Sequence, residues 1–252
     1  MISHSWGAGE PIVLVHGGSG SWRHWVLNIE ALARNHLVVA PDLPGMGDSA
    51  LMPPGGNVGD VARLVAKGAE LLLGRHARYH LAGFSFGAVV AGHLAASFPN
   101  RVRKLTLVGA SGLGLSRHPI SYVKLKKKKG AARTEAHRVN LALLMFADPA
   151  RIDELAVQIQ AWNVDHVRMR SRDIMASPAL RDALRQGIDC PLHVIYGERD
   201  AIAWPFLEER MDFFGTVGPD VEFTVIEGAG HWVAYEAAER FNAVLSGRMN
   251  AG

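Results

Sequence analysis

The sequence is poor in cysteine and lacks any long uninterrupted apolar segment. Cys190 is the only cysteine in 252 residues, which excludes an intrachain disulfide and is typical of proteins in the reducing cytosol. No stretch approaches the roughly 18 consecutive apolar residues of a membrane span. Met1–Pro11 has no apolar run of the kind that signal peptides carry. We therefore expect a cytoplasmic protein that does not bind a membrane.

The composition favours a single folded domain. Hydrophobic residues make up 48% of the sequence, which argues against disorder and allows a large buried core. A chain of 252 residues fits one large α/β domain better than two small domains. No internal repeat or low-complexity linker divides it.

Positive charge is concentrated in one part of the chain. The net charge is +3, but Arg117–Arg138 alone carries +7, including the run Lys126–Lys129, and the remainder carries −4. A solvated loop is the simplest interpretation of this segment. Attraction of an anionic substrate or of an acidic surface is the alternative. We do not expect nucleic-acid binding, because the patch is local and lacks interleaved aromatic residues.

Short apolar runs alternate with longer helix-like segments, the pattern of a mostly parallel sheet flanked by helices. The runs lack polar alternation, as expected where both faces of a sheet are covered. The predicted strands are Pro11–Val15, His36–Ala40, Tyr79–Ala82, Leu105–Val108, Leu192–Tyr196 and Val221–Ile226. The predicted helices span residues 23–34, 58–74, 86–98, 204–214 and 234–248.

One region interrupts this alternation. From about Gly112 to Gly187 the sequence contains no convincing strand, and the segment Glu135–Arg170 is helix-like throughout. Strands resume only at Pro191. We therefore predict a core of residues 1–111 and 188–252, interrupted by a helical lid of residues 112–187 over the functional site.

A serine lies between glycines in the segment Gly83–Gly87 (GFSFG). The segment follows a predicted strand and precedes a predicted helix. A serine on such a sharp turn is pushed out of the sheet, and its crowded neighbours must be glycines. The helix N-terminus then points at the site, where the N–H of Phe86 can donate to a developing oxyanion. We predict that Ser85 is a nucleophile, with a plain tight turn as the alternative.

A second glycine-rich segment, His16–Gly20 (HGGSG), follows the strand that ends at Val15. Such a loop lets the backbone approach a ligand closely, and the N–H of Gly18 is the natural second oxyanion donor. A phosphate-binding loop is the competing interpretation, but neither usual glycine spacing is present. We interpret His16 itself as structural.

A serine hydroxyl needs a base beside it to attack at neutral pH, and the chain offers 12 histidines. His231 lies in a glycine-containing loop immediately after the last predicted strand, where its ring can reach inward. His93 would lie on the helix that follows Ser85 and would face away from the turn. We therefore predict that His231 is the base.

Asp200 follows the strand Leu192–Tyr196, at the carboxyl edge of the sheet where sites of open α/β folds gather. A carboxylate there can hold the imidazole tautomer and stabilise the imidazolium. Glu198 is a rival acid two residues away, whereas we interpret Asp42 as a loop anchor. The order Ser, Asp, His along the chain differs from that of both main serine-protease folds.

With these motifs in place, nearly the whole chain outside the predicted lid resembles the α/β-hydrolase family. It looks most like the meta-cleavage-product hydrolases, which cut a C–C bond in vinylogous 1,5-diketone acids from aromatic degradation. The segments that carry the resemblance are Gly17–Gly20 (GGSG), Gly109–Gly114 (GASGLG), Asn140–Ile152, Gly197–Ala201 (GERDA) and Gly230–Trp232 (GHW). The resemblance implies the α/β-hydrolase fold, with the first antiparallel strands reduced to one near Ile2–Trp6.

The resemblance also implies substrate contacts. In that subgroup an asparagine often precedes the serine and supports the substrate's oxygen atoms, and Phe84 occupies this position here. A lid arginine often binds the substrate carboxylate, and the candidates are Arg168, Arg170 and Arg172, whose alternative is a solvated helix face.

Two tryptophans complete the candidate substrate contacts. Trp232 matches the tryptophan that follows the histidine in that subgroup, and packing under the lid is its alternative role. Trp162, at helical spacing, is predicted to line the interior of the lid rather than to bind a cofactor. Cys190 precedes Pro191 at a strand entry, and we interpret it as a packing residue.

The sequence therefore predicts a serine hydrolase that acts on a small-molecule carbonyl substrate, either a 2-hydroxy-6-oxo-dienoate or a simple carboxylic ester. No metal or organic cofactor is expected, because no His/Cys/Asp cluster has ligand spacing. An enzyme of the same fold with dehalogenase or epoxide-opening chemistry is an alternative, but such enzymes usually need an aspartate nucleophile. A non-catalytic binding or accessory protein is the other alternative. The sequence does not specify the oligomeric state.

Overall fold

A computed structural model of the chain describes residues 1–169 and 172–250. Its centre is a seven-stranded sheet with the order β1-β3-β2-β4-β5-β6-β7. The strands are β1 Ser3–Trp6, β2 Glu10–Val15, β3 His36–Pro41, β4 Tyr79–Phe84, β5 Val102–Val108, β6 Leu192–Gly197 and β7 Val221–Ile226. Strand β1 runs antiparallel to β3, and the other neighbouring strands are parallel.

Helices cover both faces of the sheet. They are α1 Val26–Ala33, α2 Val58–Leu73, α3 Phe86–Ser97, α4 Gly130–Leu144, α5 Glu154–Asp165, α6 Arg172–Ala176, α7 Ala179–Arg185, α8 Leu207–Gly215, α9 Val233–Glu236 and α10 Ala238–Asn250. Because successive side chains of a strand point to opposite faces, each strand contributes to two separate cores. Val13 of β2 packs with α2 and α3, whereas Ile12 packs with α1 and α10.

The predicted strands and the order of elements agree with this architecture. Strand β5 begins at Val102, three residues before its predicted start. Arg103 and Lys104 break the apolar pattern there, but Val102 and Lys104 still pair with β4 on either side of a register shift at Arg103. The predicted helix 23–34 is divided into a short 3₁₀ turn, Trp22–Trp25, and helix α1. The predicted helix 234–248 is likewise divided, into α9 and α10.

The region between β5 and β6 is a helical insertion in the described part of the chain, formed by α4 to α7. The prediction of a helix throughout Glu135–Arg170 is wrong, because α4 ends at Leu144 and α5 begins only at Glu154. Pro149 starts a 3₁₀ turn in the gap, and Asp153 caps α5 by accepting the N–H of Ala156. Asp and Pro favour helix starts over helix interiors, which explains the break.

The basic segment lies at the front of the insertion and is largely exposed. Residues 114–129 contain no helix or strand, and the side chains of the run Lys126–Lys129 are mostly solvent-accessible. Two of the segment's other cations are paired, Arg133 with Asp165 and Arg138 with Glu154. A role for this segment in attracting anions therefore stays a prediction.

Within residues 1–169 and 172–250, none of the helices combines the length and the apolar character needed to cross a lipid bilayer.

Two buried tyrosines provide a matched test of the packing. The hydroxyl of Tyr196 on β6 donates to the carbonyl of Ala110 at 2.7 Å, whereas the buried hydroxyl of Tyr79 on β4 has no partner among the described residues. We expect Tyr196→Phe to lower the free energy of unfolding by about 1–3 kcal/mol, because it orphans a buried carbonyl. Tyr79→Phe removes an unsatisfied hydroxyl and should be neutral or stabilising. Urea unfolding of both variants checks the difference, and equal losses would contradict this assignment.

Candidate active site

Ser85 sits at the tip of a tight turn between β4 and α3. Its backbone has φ +53° and ψ −109°, a region that non-glycine residues rarely adopt. The turn closes only because its flanks are glycines. A Cβ on Gly83 would lie 2.3 Å from the carbonyl oxygen of Gly87, and one on Gly87 would lie 2.2 Å from that of Val15. The strained turn therefore projects the Ser85 side chain beyond the end of the sheet.

Ser85, His231 and Asp200 form a continuous hydrogen-bonded relay. Ser85 Oγ lies 3.0 Å from His231 Nε2, and His231 Nδ1 lies 2.8 Å from Asp200 Oδ2. Since a carboxylate only accepts, Nδ1 carries the imidazole proton and Nε2 accepts from the serine hydroxyl. The structure thus brings together the three side chains that the sequence singled out. This arrangement can deprotonate the serine hydroxyl as it attacks an electrophile.

The relay is almost completely closed off from solvent. Ser85 is 5% exposed, His231 1% and Asp200 0%. Asp200 Oδ1 accepts the N–H of Ile202 at 2.8 Å, so both carboxylate oxygens have donors. Gly109, just after β5, leaves the space that the relay occupies: a Cβ there would lie 3.0 Å from both Asp200 Oδ2 and His231 Nδ1.

A buried glutamate, which the sequence reasoning missed, holds the loop that carries His231. Glu236 on α9 accepts the N–H of Gly230 at 2.6 Å. The same carboxylate accepts the N–H groups of Ala147 and Asp148, in the break between α4 and α5. Glu236 therefore ties the histidine loop to the helical insertion. In the sequence it looks like an ordinary exposed helix residue, and no local signal distinguishes it.

The glycine-rich loop beside the relay is fixed by two buried histidines. His16 Nε2 accepts the N–H of Leu43 at 2.8 Å, so His16 Nδ1–H donates to the carbonyl of Gly17. His24 Nδ1 accepts the N–H of Gly17 at 3.2 Å. Burial lowers the pKa of both rings, and the pKa of His24 falls well below its usual range, with smaller contributions from the neighbouring His16 and His231. Both rings are therefore neutral and hold the glycine-rich loop in place, which agrees with the structural interpretation of His16.

The N–H groups of Phe86 and Gly18 are the predicted oxyanion donors. Phe86 is the first residue of α3, so its N–H has no acceptor within the helix. Gly18 lies in the loop that His16 and His24 fix, and it is partly exposed. Donation by these two groups to a substrate oxygen stays a prediction.

Asp42 anchors the loop that follows β3, as predicted. Its carboxylate accepts the backbone N–H groups of Trp22 at 2.8 Å and Asp48 at 3.0 Å. In the described part of the chain, Asp42, Asp48 and His4 are the group with metal-ligand atoms within 4.8 Å of one another. The relay needs no ion, and both Asp42 oxygens already accept hydrogen bonds, so we assign this cluster to holding the loop.

The predicted substrate contacts of the core have other partners in the structure. Phe84 is buried and packs edge-on against His24 and Trp25, with its ring centroid 4.9 Å from that of His231. Trp232 is buried as well, and its Nε1–H donates to the carbonyl of His24 at 2.8 Å. Both side chains are packed among residues beside the relay. A direct contact of either side chain with substrate stays a prediction.

The predicted contacts of the insertion hold it against the core. The ring of Trp162 stacks on that of His166 with the centroids 3.8 Å apart, and the guanidinium carbon of Arg23 lies 3.6 Å from the centre of the Trp162 ring. Arg168 donates to the carbonyls of Gly47 and Ser49. Arg170 lies outside the described residues, and the side chain of Arg172 is not described. Arg168 therefore clamps the insertion to the Asp42 loop, which leaves its predicted role as a carboxylate ligand untested.

The rival groups lie away from the relay. Glu198 is exposed and accepts the N–H of Gly228, and His93 lies on α3. Burial raises the pKa of the Cys190 thiol to about 11, and its side chain packs against the core, as predicted.

The fold and the relay together define a serine hydrolase-like site, and the comparisons place the chain accordingly. The chain belongs to the alpha/beta hydrolase family, because the model of that family matches residues 12–244. This confirms both the predicted family and the predicted fold class.

Characterised relatives differ in the reactions that their names describe. The dihydrolipoyllysine-residue acetyltransferase component of an acetoin cleaving system from Pseudomonas putida is 33% identical, and the match covers 93% of this chain but only 62% of that protein. A 2-hydroxy-6-oxononadienedioate/2-hydroxy-6-oxononatrienedioate hydrolase from Paraburkholderia phymatum is 31% identical over 95% of this chain and 87% of that protein. This chain thus spans less than two thirds of the first relative and most of the second.

A solved structure shows the same fold. The meta-cleavage product hydrolase from Pseudomonas fluorescens IP01 superposes with a TM-score of 0.73 at 21% identity, over 98% of this chain and 93% of that one. The likeness to this structure shows the fold, and the 31%-identical Paraburkholderia phymatum relative makes hydrolases of this type relatives of the chain, as the sequence motifs suggested.

The neutral state of His24 predicts a pH dependence of stability. In the unfolded chain a histidine takes up a proton near pH 6.5, whereas burial keeps folded His24 neutral to much lower pH. The unfolded state therefore gains protons first, and the free energy of unfolding should fall as pH drops below 6.5, by ~1.4 kcal/mol per pH unit for each such histidine. NMR of the His24 ring should show no titration between pH 7.5 and 5.5. Titration near pH 6.5 would contradict the assignment.

Proposed function

We propose that this protein is a serine hydrolase with Ser85 as nucleophile, His231 as general base and Asp200 as the residue that orients the base. The proposal rests on the two hydrogen bonds of His231, which join Nε2 to Ser85 Oγ at 3.0 Å and Nδ1 to Asp200 Oδ2 at 2.8 Å. Its geometry fixes the tautomer in which Nε2 is free to accept the serine proton. Burial excludes water that would otherwise weaken these interactions.

The reaction proceeds in two steps. Ser85 Oγ attacks a carbonyl carbon while its proton moves to His231 Nε2, and the imidazolium is stabilised by Asp200. The imidazolium returns the proton to the leaving group, which leaves an acyl group on Ser85. A water molecule that His231 deprotonates then attacks the acyl carbon and releases the acid.

Backbone donors stabilise the negative charge that each step creates. The N–H groups of Gly18 and Phe86 are the proposed oxyanion hole, and the N-terminus of α3 adds its dipole at the same point. Loss of one such donor raises the barrier by about 3 kcal/mol in comparable sites.

The substrate is a small carbonyl compound, and a C–C bonded 2-hydroxy-6-oxo-dienoate is the first candidate. The name of the Paraburkholderia phymatum relative describes a hydrolase of this substrate type at 31% identity. With such a substrate, His231 first assists tautomerisation to a ketone, and Ser85 and the oxyanion hole then act as described.

A carboxylic ester is the second candidate, and the identity of residue 84 favours it. Phe84 is buried and apolar, so it cannot support the substrate's oxygen atoms as an asparagine would in the resembling subgroup. An ester needs only the relay and the oxyanion donors.

Two other functions fit the site less well. Dehalogenation or epoxide opening usually uses an aspartate nucleophile, and Ser85 stands at that position. A non-catalytic accessory protein has no need for a strained serine paired with a buried imidazole, a costly arrangement that is typical of functional sites.

Substrate must enter past the helical insertion. Ser85 is only 5% exposed, and the insertion is held down by the Arg168 hydrogen bonds to the Asp42 loop. We propose that the insertion acts as a lid that opens to admit substrate, with its bounds near residues 112 and 187. A site covered by a lid in this way is typical of enzymes that act on small molecules.

Steady-state kinetics distinguish the candidates. Wild type and Ser85→Ala are assayed with a 2-hydroxy-6-oxo-dienoate and with a short-chain p-nitrophenyl ester. We expect Ser85→Ala to abolish turnover, because among the described residues Ser85 supplies the hydroxyl that is hydrogen-bonded to His231 Nε2. A far higher kcat/KM for the dienoate would identify a C–C hydrolase, and turnover of the ester alone would identify a carboxylesterase. Equal rates for wild type and Ser85→Ala would contradict the nucleophile assignment.

A further inference from the structure

Three hydrogen-bond donors are buried without an acceptor where the core meets the helical insertion. They are Nε1 of Trp22, Nη1 of Arg23 and Nδ2 of Asn163, and none has a partner among residues 1–169 and 172–250. A buried polar atom without a partner costs about 1–3 kcal/mol, so native structures rarely keep several together. All three are donors, which means that the missing group is an acceptor.

The guanidinium of Arg23 is the charged member of this group. Its Cζ lies 3.6 Å from the ring centre of Trp162 on α5 and 5.0 Å from that of Trp22. Cation–π contacts of this kind fix the position of a guanidinium but leave its N–H groups free to donate in the guanidinium plane. In the described part of the chain no carboxylate lies within ion-pair distance of Arg23. A partly buried cation without a counter-ion is unfavourable.

Asn163 supplies a neutral donor from the other side of the boundary. Its side chain is 0% exposed. The hydroxyl of Ser21 donates to its Oδ1 at 2.6 Å, which fixes the amide and leaves Nδ2 as the free donor. Together with the contact between Arg23 and the Trp162 ring, this hydrogen bond holds the segment Ser21–Arg23 against Trp162 and Asn163 of α5.

This boundary adjoins the proposed active site. Ser21–His24 continues directly from the glycine-rich loop that carries Gly18. His24 packs against Phe84 and Trp232, the neighbours of Ser85 and His231 in the chain. The same short segment thus carries His24, which packs against the neighbours of the relay, and Arg23, the preceding residue, which packs against Trp162 of the insertion.

We propose that Arg23, Asn163 and Trp22 form a binding site for the anionic group of the substrate, a carboxylate, while the reacting carbonyl lies at Ser85. The carboxylate would supply the acceptor oxygens that all three donors lack and the counter-ion that Arg23 lacks. Arg23 and Asn163 are then specificity-determining residues. This inference rests on the proposed hydrolase function, and it assigns the anion to the core arginine rather than to Arg168, whose guanidinium already donates to backbone carbonyls.

Two esters that differ in charge test the site. The substrates are mono-p-nitrophenyl glutarate, which carries a carboxylate, and p-nitrophenyl butyrate, which is neutral. In Arg23→Met, which keeps a stacking side chain without the charge, we expect the ratio of kcat/KM for the anionic over the neutral ester to fall about 10–100-fold, mainly through KM. The control is Arg34→Met, because Arg34 is an exposed arginine whose ion pair within the described residues is with Glu30. Its ratio should equal that of wild type. An unchanged ratio in Arg23→Met would overturn the proposal.

Binding to an inactive chain separates this inference from the function on which it rests. Calorimetry with glutarate is made on Ser85→Ala, on Ser85→Ala with Arg23→Met, and on Ser85→Ala with Asn163→Leu. We expect both second substitutions to weaken glutarate binding about 10–100-fold, whether or not wild type hydrolyses either ester. If wild type turned over neither ester, the proposed hydrolase function would fail while this binding result could still stand. Equal glutarate affinity in all three chains, or no binding to any of them, would overturn the anion site.

Discussion

The hydrogen bond from His231 Nδ1–H to Asp200 Oδ2 joins two side chains that are almost wholly removed from water. A buried carboxylate that lost this partner would carry a large desolvation cost, so the loops after β6 and β7 must keep their ends in contact. They do so at close range. Gly197 and Ile226 are paired in the sheet, and a Cβ on Gly197 would lie 2.2 Å from the carbonyl oxygen of Gly230. The carboxyl ends of two neighbouring parallel strands thus set the position of the His231 imidazole.

The same constraint extends to the helical insertion. Glu236 accepts N–H groups both from the His231 loop and from the break between α4 and α5. Ser21, next to the glycine-rich loop, donates to Asn163 on α5. The insertion is therefore hydrogen-bonded to the segments on both sides of the relay. If it opens as the proposed lid, these contacts would couple its movement to the loops beside Ser85 and His231.

Signals that are local in the chain were sufficient to predict the sheet and the relay. Each signal for the relay lies within about ten residues of sequence. The signals are a serine between glycines at the end of an apolar run, and an acid and a histidine just after two later apolar runs. Contacts that depend on packing between distant elements were not predictable. Arg168 could equally have faced the substrate cavity, and Trp162 could have lined it; the structure instead places them on Gly47, Ser49 and Arg23. Pro149 and Asp153 are residues from which the break in the predicted helix could have been predicted. The hydrogen bonds by which Glu236 stabilises this break could not, because Glu236 lies almost ninety residues later in the chain.

The rate at which a fluorophosphonate labels the protein tests most directly whether the relay activates Ser85. Intact-mass and peptide mass spectrometry should show one label per chain, on Ser85, and Ser85→Ala should remain unlabelled. Asp200→Asn should slow labelling on the order of 10³–10⁴-fold, because the imidazole loses the partner that fixes its tautomer. Glu198→Gln, which changes the exposed carboxylate two residues away, should label at the wild-type rate. Labelling of another residue, or an undiminished rate in Asp200→Asn, would contradict the account.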